Sequence, residues 1–262
     1  MRTDRVHALV PAAGAGTRLG ASVPKALVEL DGRALLLRAL DGLAASGVVG
    51  DALVIVSGGM LGEVDAALRG NDWGPMRVAV CRGGAERADS VRAGLRVLTD
   101  RLGEEREGHV VAVHDAARCL TPPGLVRDVV AVHDAARCLT PPGLVRDVVA
   151  AAVAGPAAGA VPVVPVTDTV KTVAPGPGST ETVTGTPDRA TLRAVQTPQV
   201  FALPAFVEAH ERVTGPVTDD ASLVERAGFT VAAVPGDPRA LKITTPTDLA
   251  LARVLLGGEE TP

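Results

Sequence analysis

Cysteine is scarce: three in 262 residues do not make a disulfide framework, so a reduced, cytoplasmic protein is the expectation. No run of roughly 18 or more apolar residues occurs, so no membrane-spanning helix and no membrane partner are expected. The opening residues MRTDRVHALVPAAG lack an apolar stretch with a cleavage site, so no signal peptide is expected. Positive charge is not in excess either. A formal net charge of -4 gives no electrostatic reason for a nucleic-acid partner. Tyrosine is absent and aromatics make up 2% of the chain, while 47% is hydrophobic, so the apolar load is aliphatic. That load excludes a disordered chain. At this length it is enough to bury a sizeable core, in one large α/β domain or two small ones. Lysine is the last shortage: 23 arginines stand against Lys25, Lys171 and Lys242 alone. In so arginine-biased a chain, a retained lysine marks a place where a compact ammonium is wanted. Lys25 and Lys242 both lie inside motif-like segments.

What is present in surplus is one segment. Residues 110–128 (VVAVHDAARCLTPPGLVRD) recur unchanged at 129–147, an offset of 19 seen nowhere else in the chain. Solenoids need three or more units and let them diverge. Two identical copies read instead as a recent tandem duplication, and removing one 19-residue copy from 262 leaves 243. Each copy contains one strand–loop–helix unit, and a sheet needs only one of them.

The remaining pattern alternates. Apolar runs at Val6–Val10, Leu53–Val56, Arg77–Val80, Val110–Val113 or Val129–Val132, and Ala160–Val164 predict strands. Helical patterns separate them at Ala34–Ser46, Leu61–Arg69, Ser90–Leu102, and Gly124–Val130 or its second copy. This order argues for a mostly parallel sheet with helices on both faces and ligands at the carboxyl ends of the strands. The stretch 166–191 breaks the pattern. Its alternating β-branched residues flank Pro175-Gly176-Pro177-Gly178 and predict a projecting hairpin arm. An isolated hairpin is marginal in water, so the arm is expected to pack on another subunit. Helices near Pro204–Arg212, Asp220–Ala227 and Pro246–Leu256 and a strand at Phe229–Val234 complete the chain, with no linker to split it into two domains.

Four groups of residues carry candidate chemistry. Pro11-Ala12-Ala13-Gly14-Ala15-Gly16-Thr17-Arg18-Leu19-Gly20 follows the first strand, where glycines let backbone N–H groups approach a phosphate. Leu19 stands where a dinucleotide fingerprint needs its third glycine, and no Walker lysine follows. Arg18 and Lys25 instead place two cations beside the loop, which suits a triphosphate whose charge builds during attack on phosphorus. The plain alternative is a β–α turn with two surface cations. Gly83-Gly84 leads to Asp89-Ser90, which is either an ordinary helix cap or a place where Ser90 and glycine backbone meet a base edge. His114-Asp115-Ala116-Ala117-Arg118, copied at 133–137, puts a carboxylate at a strand end, as suits Mg²⁺ bound through phosphates. Its alternative is a local Asp–Arg ion pair. The last group is scattered: Asp168-Thr169 with Lys171, Asp188-Arg189, Thr197-Pro198-Gln199, Thr218-Asp219-Asp220 and Lys242.

Taken together these segments resemble one family. AAGxGTRL…PK is similar to the general nucleotidyltransferase signature. GGxERxDSV, VHDAAR, DTxK, DR, TPQ, TDxAS and IKxTxPxDL together resemble the 2-C-methyl-D-erythritol 4-phosphate cytidylyltransferases of the non-mevalonate isoprenoid pathway, in order from about Val6 to Leu256. The resemblance implies a single Rossmann-like α/β domain of the nucleotide-diphospho-sugar transferase type with a projecting β-arm, and a homodimer joined through that arm. It implies CTP and a polyol phosphate as substrates, and Mg²⁺. Arg18 and Lys25 would stabilise the transition state at the α-phosphorus. Lys242 and Arg189 would hold the substrate phosphate, Arg189 in the partner's site. Ala12, Ala13, Gly14 and Gly16 would cradle the nucleotide, Gly84 and Ser90 would read cytosine, and Thr169, Thr197 and Thr218 would line the substrate pocket. One DAAR aspartate would bind the metal or the ribose–phosphate region, with its arginine in support.

Two departures qualify the resemblance. Ala85 stands where the family often has an aspartate near the base, and the DAAR unit is doubled. The chain reaches the first copy first, and a helix tail tolerates change, so Asp115 and Arg118 are expected at the strand end, with Asp134 and Arg137 as alternates. Alternative functions are cytidylyl transfer to another polyol phosphate, such as ribitol 5-phosphate, and an inactive nucleotide-binding protein disabled by the duplication. The intact arm favours 2-C-methyl-D-erythritol 4-phosphate over another polyol phosphate.

Overall fold

Successive residues of the first strand enter opposite apolar layers: Ala8 and Val10 one, Leu9 the other. That double burial fixes everything around it. The computed structural model describes residues 6–12, 23–84, 86–102 and 129–257. In chain order it contains β1 (Val6–Pro11), β2 (Glu29–Leu30), β3 (Arg33–Ala34), α1 (Leu35–Ala45), β4 (Asp51–Val56), α2 (Leu61–Leu68), β5 (Arg77–Arg82) and α3 (Arg87–Leu102). Then come β6 (Val129–Val132), α4 (Pro142–Ala154), β7 (Gly159–Pro165), β8 (Thr172–Pro175), β9 (Glu181–Gly185), β10 (Arg193–Val195) and β11 (Gln199–Ala202). The last elements are α5 (Leu203–Arg212), α6 (Asp220–Arg226), β12 (Val231–Pro235) and α7 (Pro246–Gly257).

The main sheet runs β12-β7-β11-β6-β1-β4-β5. The pairs β6–β1, β1–β4, β4–β5 and β7–β12 are parallel; β11 lies antiparallel between β6 and β7. β10 pairs antiparallel with the far end of β7. Two layers cover the sheet. Leu36, Leu40 and Leu43 of α1, Val64 of α2 and Val145, Val148 and Val149 of α4 pack against Ala8, Val10, Val54 and Val56. Val91, Leu95 and Leu98 of α3, Phe206 of α5 and Leu223 and Val224 of α6 pack against Leu9, Leu53, Ile55, Val130 and Val132. The helices therefore lie on both faces, as the alternation predicts. A third cluster, Val28, Leu30, Leu35, Ala39, Cys138, Ile243 and Ala252, sits beneath α7 and joins the segment after the DAAR turn to the one that carries Lys242.

Short antiparallel pieces escape the sequence reading. β2 and β3 close over Asp31 and Gly32, both at positive φ (48° and 71°), the backbone of a two-residue hairpin turn that Asp-Gly favours. β10 and β11 flank the cis Thr197–Pro198 bond.

The expectation for the repeat is corrected. The slot between β1 and β11 is filled by Val129–Val132, so the strand end carries Asp134 and Arg137, while Asp115 and Arg118 lie outside the described residues. The reason lies just past the repeat. The match between the copies ends at Ala131 and Ala150, and α4 continues through Ala151, Ala152 and Val153. Ala152 is 1% exposed and Val153 packs on the core. With the first copy in the slot, an offset of 19 would put His133 and Asp134 at those two places. A helix tail tolerates change only where it faces solvent; here it would bury an imidazole and a carboxylate.

Candidate active site

The strand ends β1, β4, β5 and β6 converge on one edge of the sheet, where the backbone continues to pair just past the strands. Ala12 N–H donates to the Ile55 carbonyl (2.7 Å), His133 N–H to Leu9 (2.9 Å) and Gly83 N–H to Val56 (2.7 Å). Ala13, Gly14, Gly16 and Arg18 lie outside the described residues, as does Ala85; Ala12 is buried at the entrance to that segment.

Beyond β6, the Asp134 carboxylate accepts from the Ala136 N–H (3.0 Å) through Oδ1 and is ion-paired through Oδ2 with the Lys242 ammonium. Burial alone would raise the Asp134 carboxyl. The Lys242 ammonium, the Ala136 N–H and the charge of Lys25 outweigh it and hold the group below the ordinary carboxylate range. Lys25 opens a short 3-10 turn, Lys25–Leu27, and is half-buried. Lys242 thus pairs with this carboxylate and the charge of Lys25 reaches it, while Lys171 donates to Thr186 on the arm (2.7 Å).

The placing of Lys242 depends on its neighbours. Arg137 donates to the carbonyls of Ala240 (2.6 Å) and Val195 (3.1 Å), and Ile243 N–H donates to Ala136 (2.9 Å). Buried Gln196 donates to the Asp237 carbonyl (2.8 Å) and accepts from its N–H (3.0 Å), pinning the turn that leads to Ala240. Thr197 serves the same strand end. Its hydroxyl accepts from the Asp134 N–H (3.0 Å) and lies 3.0 Å from His133 Nδ1. Burial pushes His133 down to about 4, so the ring is neutral. The ring is 1% exposed and closes the strand end.

Across the site, the Gly83-Gly84 turn fits tightly. A Cβ at Gly83 would lie 2.6 Å from Ser90 Oγ, and one at Gly84 2.4 Å from the Asp89 Cβ. α3 begins at Arg87, so Ser90 is not its cap; the side chain is buried and its hydroxyl donates to the Gly84 carbonyl (3.3 Å). Arg87, which the sequence reading passes over, is paired at 2.7 Å with buried Asp220, and its cation is raised further by Asp134 and Asp219 against the cost of burial. Gln199 donates to Asp219 Oδ2 (2.9 Å) and accepts from Ala221 N–H (3.0 Å). TPQ, TDD and GGxER are thus one cluster, a connection that only the pairing of β11 beside β6 creates.

Arg189 stands elsewhere. It lies exposed on the turn Arg189–Thr191 and donates to the Thr167 carbonyl (2.7 Å). Thr169 is exposed near the base of the β8–β9 hairpin, and Thr218 is exposed beside the Asp219 capping box, its hydroxyl 3.5 Å from Ser222 Oγ. Neither is brought to Asp134.

The IspD family model, 2-C-methyl-D-erythritol 4-phosphate cytidylyltransferase, matches residues 6–132 and 124–258. The chain belongs to this family. The two matched stretches overlap across the junction of the repeat. A 2-C-methyl-D-erythritol 4-phosphate cytidylyltransferase of Corynebacterium jeikeium is 46% identical over 288 residues, covering 98% of this chain and 99% of that one. Its counterpart in Rhodococcus jostii is 46% identical over 251 residues, covering 96% and 95%. Among solved structures, the Thermus thermophilus cytidylyltransferase matches with a TM-score of 0.65 and 33% identity, covering 96% of this chain and 98% of that one. A 4-diphosphocytidyl-2C-methyl-D-erythritol synthase matches at 0.69 and 30%, covering 96% and 99%. This cytidylyltransferase family accounts for the mixed sheet, and no helix among the described residues is long and apolar enough to cross a membrane.

Proposed function

We propose that this chain joins CTP and 2-C-methyl-D-erythritol 4-phosphate to give 4-diphosphocytidyl-2-C-methyl-D-erythritol and pyrophosphate, as a single-domain cytoplasmic enzyme. A phosphate oxygen of the substrate attacks the α-phosphorus of CTP, the bond from that phosphorus to the bridging oxygen breaks, and pyrophosphate leaves with the electron pair. The nucleophile is already an anion, so no general base is needed; positioning and positive charge carry the reaction. The observation that supports this most is the convergence of Lys242 and Lys25 on Asp134 at the strand end.

In this reading Arg18 and Lys25 stabilise the charge on the α-phosphate and Lys242 grips the substrate phosphate. Ser90 and the Gly84 backbone meet cytosine. An ionised carboxylate beside two ammonium groups fits Mg²⁺ held chiefly through the nucleotide phosphates, with Asp134 as the protein's oxygen donor. Among the described residues no group of three or more acidic, imidazole or thiol side chains forms a cage of its own, in keeping with that mode. When bound, the metal neutralises phosphate charge.

The arm supports a homodimer. Val173 and Val183 are 47% and 58% exposed on the β8–β9 ribbon, and Arg189 is held near its base. A partner that covers those valines would receive Arg189 in its own site. The test is release of pyrophosphate from CTP with 2-C-methyl-D-erythritol 4-phosphate and Mg²⁺, beside ribitol 5-phosphate. Turnover only with the second polyol would move the substrate assignment, and no turnover with either would overturn the enzyme.

A further inference from the structure

The first turn of α3 is tied to α6 by one ion pair. Asp220 is 3% exposed, and at 2.7 Å its carboxylate meets Arg87, whose side chain is 39% exposed. Asp219 is engaged separately: it accepts from Ser222 N–H (2.9 Å) and from Gln199 (2.9 Å), while Gln199 takes the Ala221 N–H. Asp220 is therefore held against the sheet from both neighbouring residues and has little freedom of its own. A single ion pair, from Arg87 Nη2 to Asp220 Oδ2, joins this guanidinium to a carboxylate whose own segment is held. Arg87 lies three residues after Gly84 and three before Ser90, and neither glycine of the preceding turn has room for a side chain. The Ser90 hydroxyl, on the same first helical turn as Arg87, donates to the Gly84 carbonyl (3.3 Å), which links the ion pair to both groups.

We infer that Asp220 is a positioning residue for nucleotide recognition: through Arg87 it fixes the first turn of α3, and with it the Gly84–Ser90 base pocket. This rests on the reading of Gly84 and Ser90 as the groups that meet cytosine. It adds that their placement is set from α6, on the far side of β11. Because Asp220 acts through Arg87 on the groups that meet cytosine, its loss is expected to act on CTP rather than on the polyol phosphate.

The experiment is steady-state kinetics with each substrate varied in turn, and with UTP in place of CTP, for the wild-type chain, Asp220→Asn, Arg87→Gln and the double variant. Each single variant is expected to raise KM for CTP about tenfold and to lower the preference for CTP over UTP by a similar factor, a size typical of small misplacements at a site. KM for the polyol phosphate should hold within about twofold, as for loss of binding specific to one substrate. The double variant should be no worse than either single, because the pair acts as one unit. It leaves no unpaired buried charge, so it keeps the test open where a single variant does not fold. A merely structural role would lower the melting temperature without changing the CTP-over-UTP ratio, and that result overturns the inference, as does an additive double variant. A wild-type chain with no CTP preference would instead count against the base-reading assignment itself.

Discussion

The ammonium of Lys242 is ion-paired with the carboxylate of Asp134, across a gap in sequence bridged by Arg137, Gln196 and Ile243. In the proposed reaction, the two groups neutralise each other where the substrate phosphate is placed. Lys242→Ala should therefore do more than remove a phosphate contact, because it also leaves Asp134 without its main counter-charge. kcat/KM for the polyol phosphate is expected to fall at least about 10²-fold, the loss typical of removing one charge-stabilising group. Steady-state kinetics will measure it; a fall below tenfold would mean the phosphate is held elsewhere.

The two copies of the repeat give a paired test. Asp134→Asn should cut turnover by about 10²-fold, and Asp115→Asn should leave it within error. A loss from Asp115→Asn would show that the first copy reaches the site.

Ala152→His recreates at one position what the rejected register would impose. Overpacking and the burial of an imidazole together should cost about 3 kcal/mol. Denaturant unfolding of the variant beside the wild type checks this, and a change under 1 kcal/mol, on the order of an ordinary surface substitution, would mean that Ala152 does not select the copy.

Stability should depend on pH through two buried histidines. Burial pushes His133 down to about 4; burial, with Arg92 and Arg87 nearby, pushes His210 down to about 4 as well, from an ordinary value of 6.5. Between those limits the unfolded chain binds protons that the folded chain refuses. Stability therefore rises with pH from about 4 to about 6.5 and then levels, at up to about 1.4 kcal/mol per pH unit for each histidine. His210 stacks edge-on to Phe206 at 4.7 Å, and neither ring nitrogen has a hydrogen-bond partner among the described residues. His210→Leu should thus remove about half the slope in denaturant titrations at pH 4.5 to 7. An unchanged slope would show that His210 is not kept neutral.

Removing either copy of the 19-residue unit gives the same 243-residue chain. That chain should turn over within about twofold of the full one and be as stable or slightly more so, by about 1 kcal/mol, since closing a longer loop costs little. Pyrophosphate release and thermal melting of the two proteins decide it; clear loss of activity would give the extra copy a role.

Much of the parallel core was legible because its strands are buried on both faces and read as plain apolar runs, Val6–Pro11 and Asp51–Val56 being the clearest. β10 and β11 were not, since Gln196 beside β10 and Gln199 at the start of β11 look like solvent-facing loop residues. In the fold both amides are buried and complete backbone pairing. Lys25 and Lys242 stand out in the sequence through the shortage of lysine together with the motif-like segments around them. Arg87 does not, because its meaning comes from Asp220, which the sheet brings to it from more than half the chain away. The choice of copy was illegible within the repeat itself, as the two copies are identical; it is written at Ala152, just beyond the matching residues.

The slot between β1 and β11 also makes folding a competition. Two identical strand segments are made in succession, and the first to be synthesised can pair with β1 before the second exists. Such a pairing satisfies every local contact of β6 and fails only when the tail of α4 has to close over the core. The choice between two strands of equal local fit is thus deferred to residues beyond both of them, at the tail of α4.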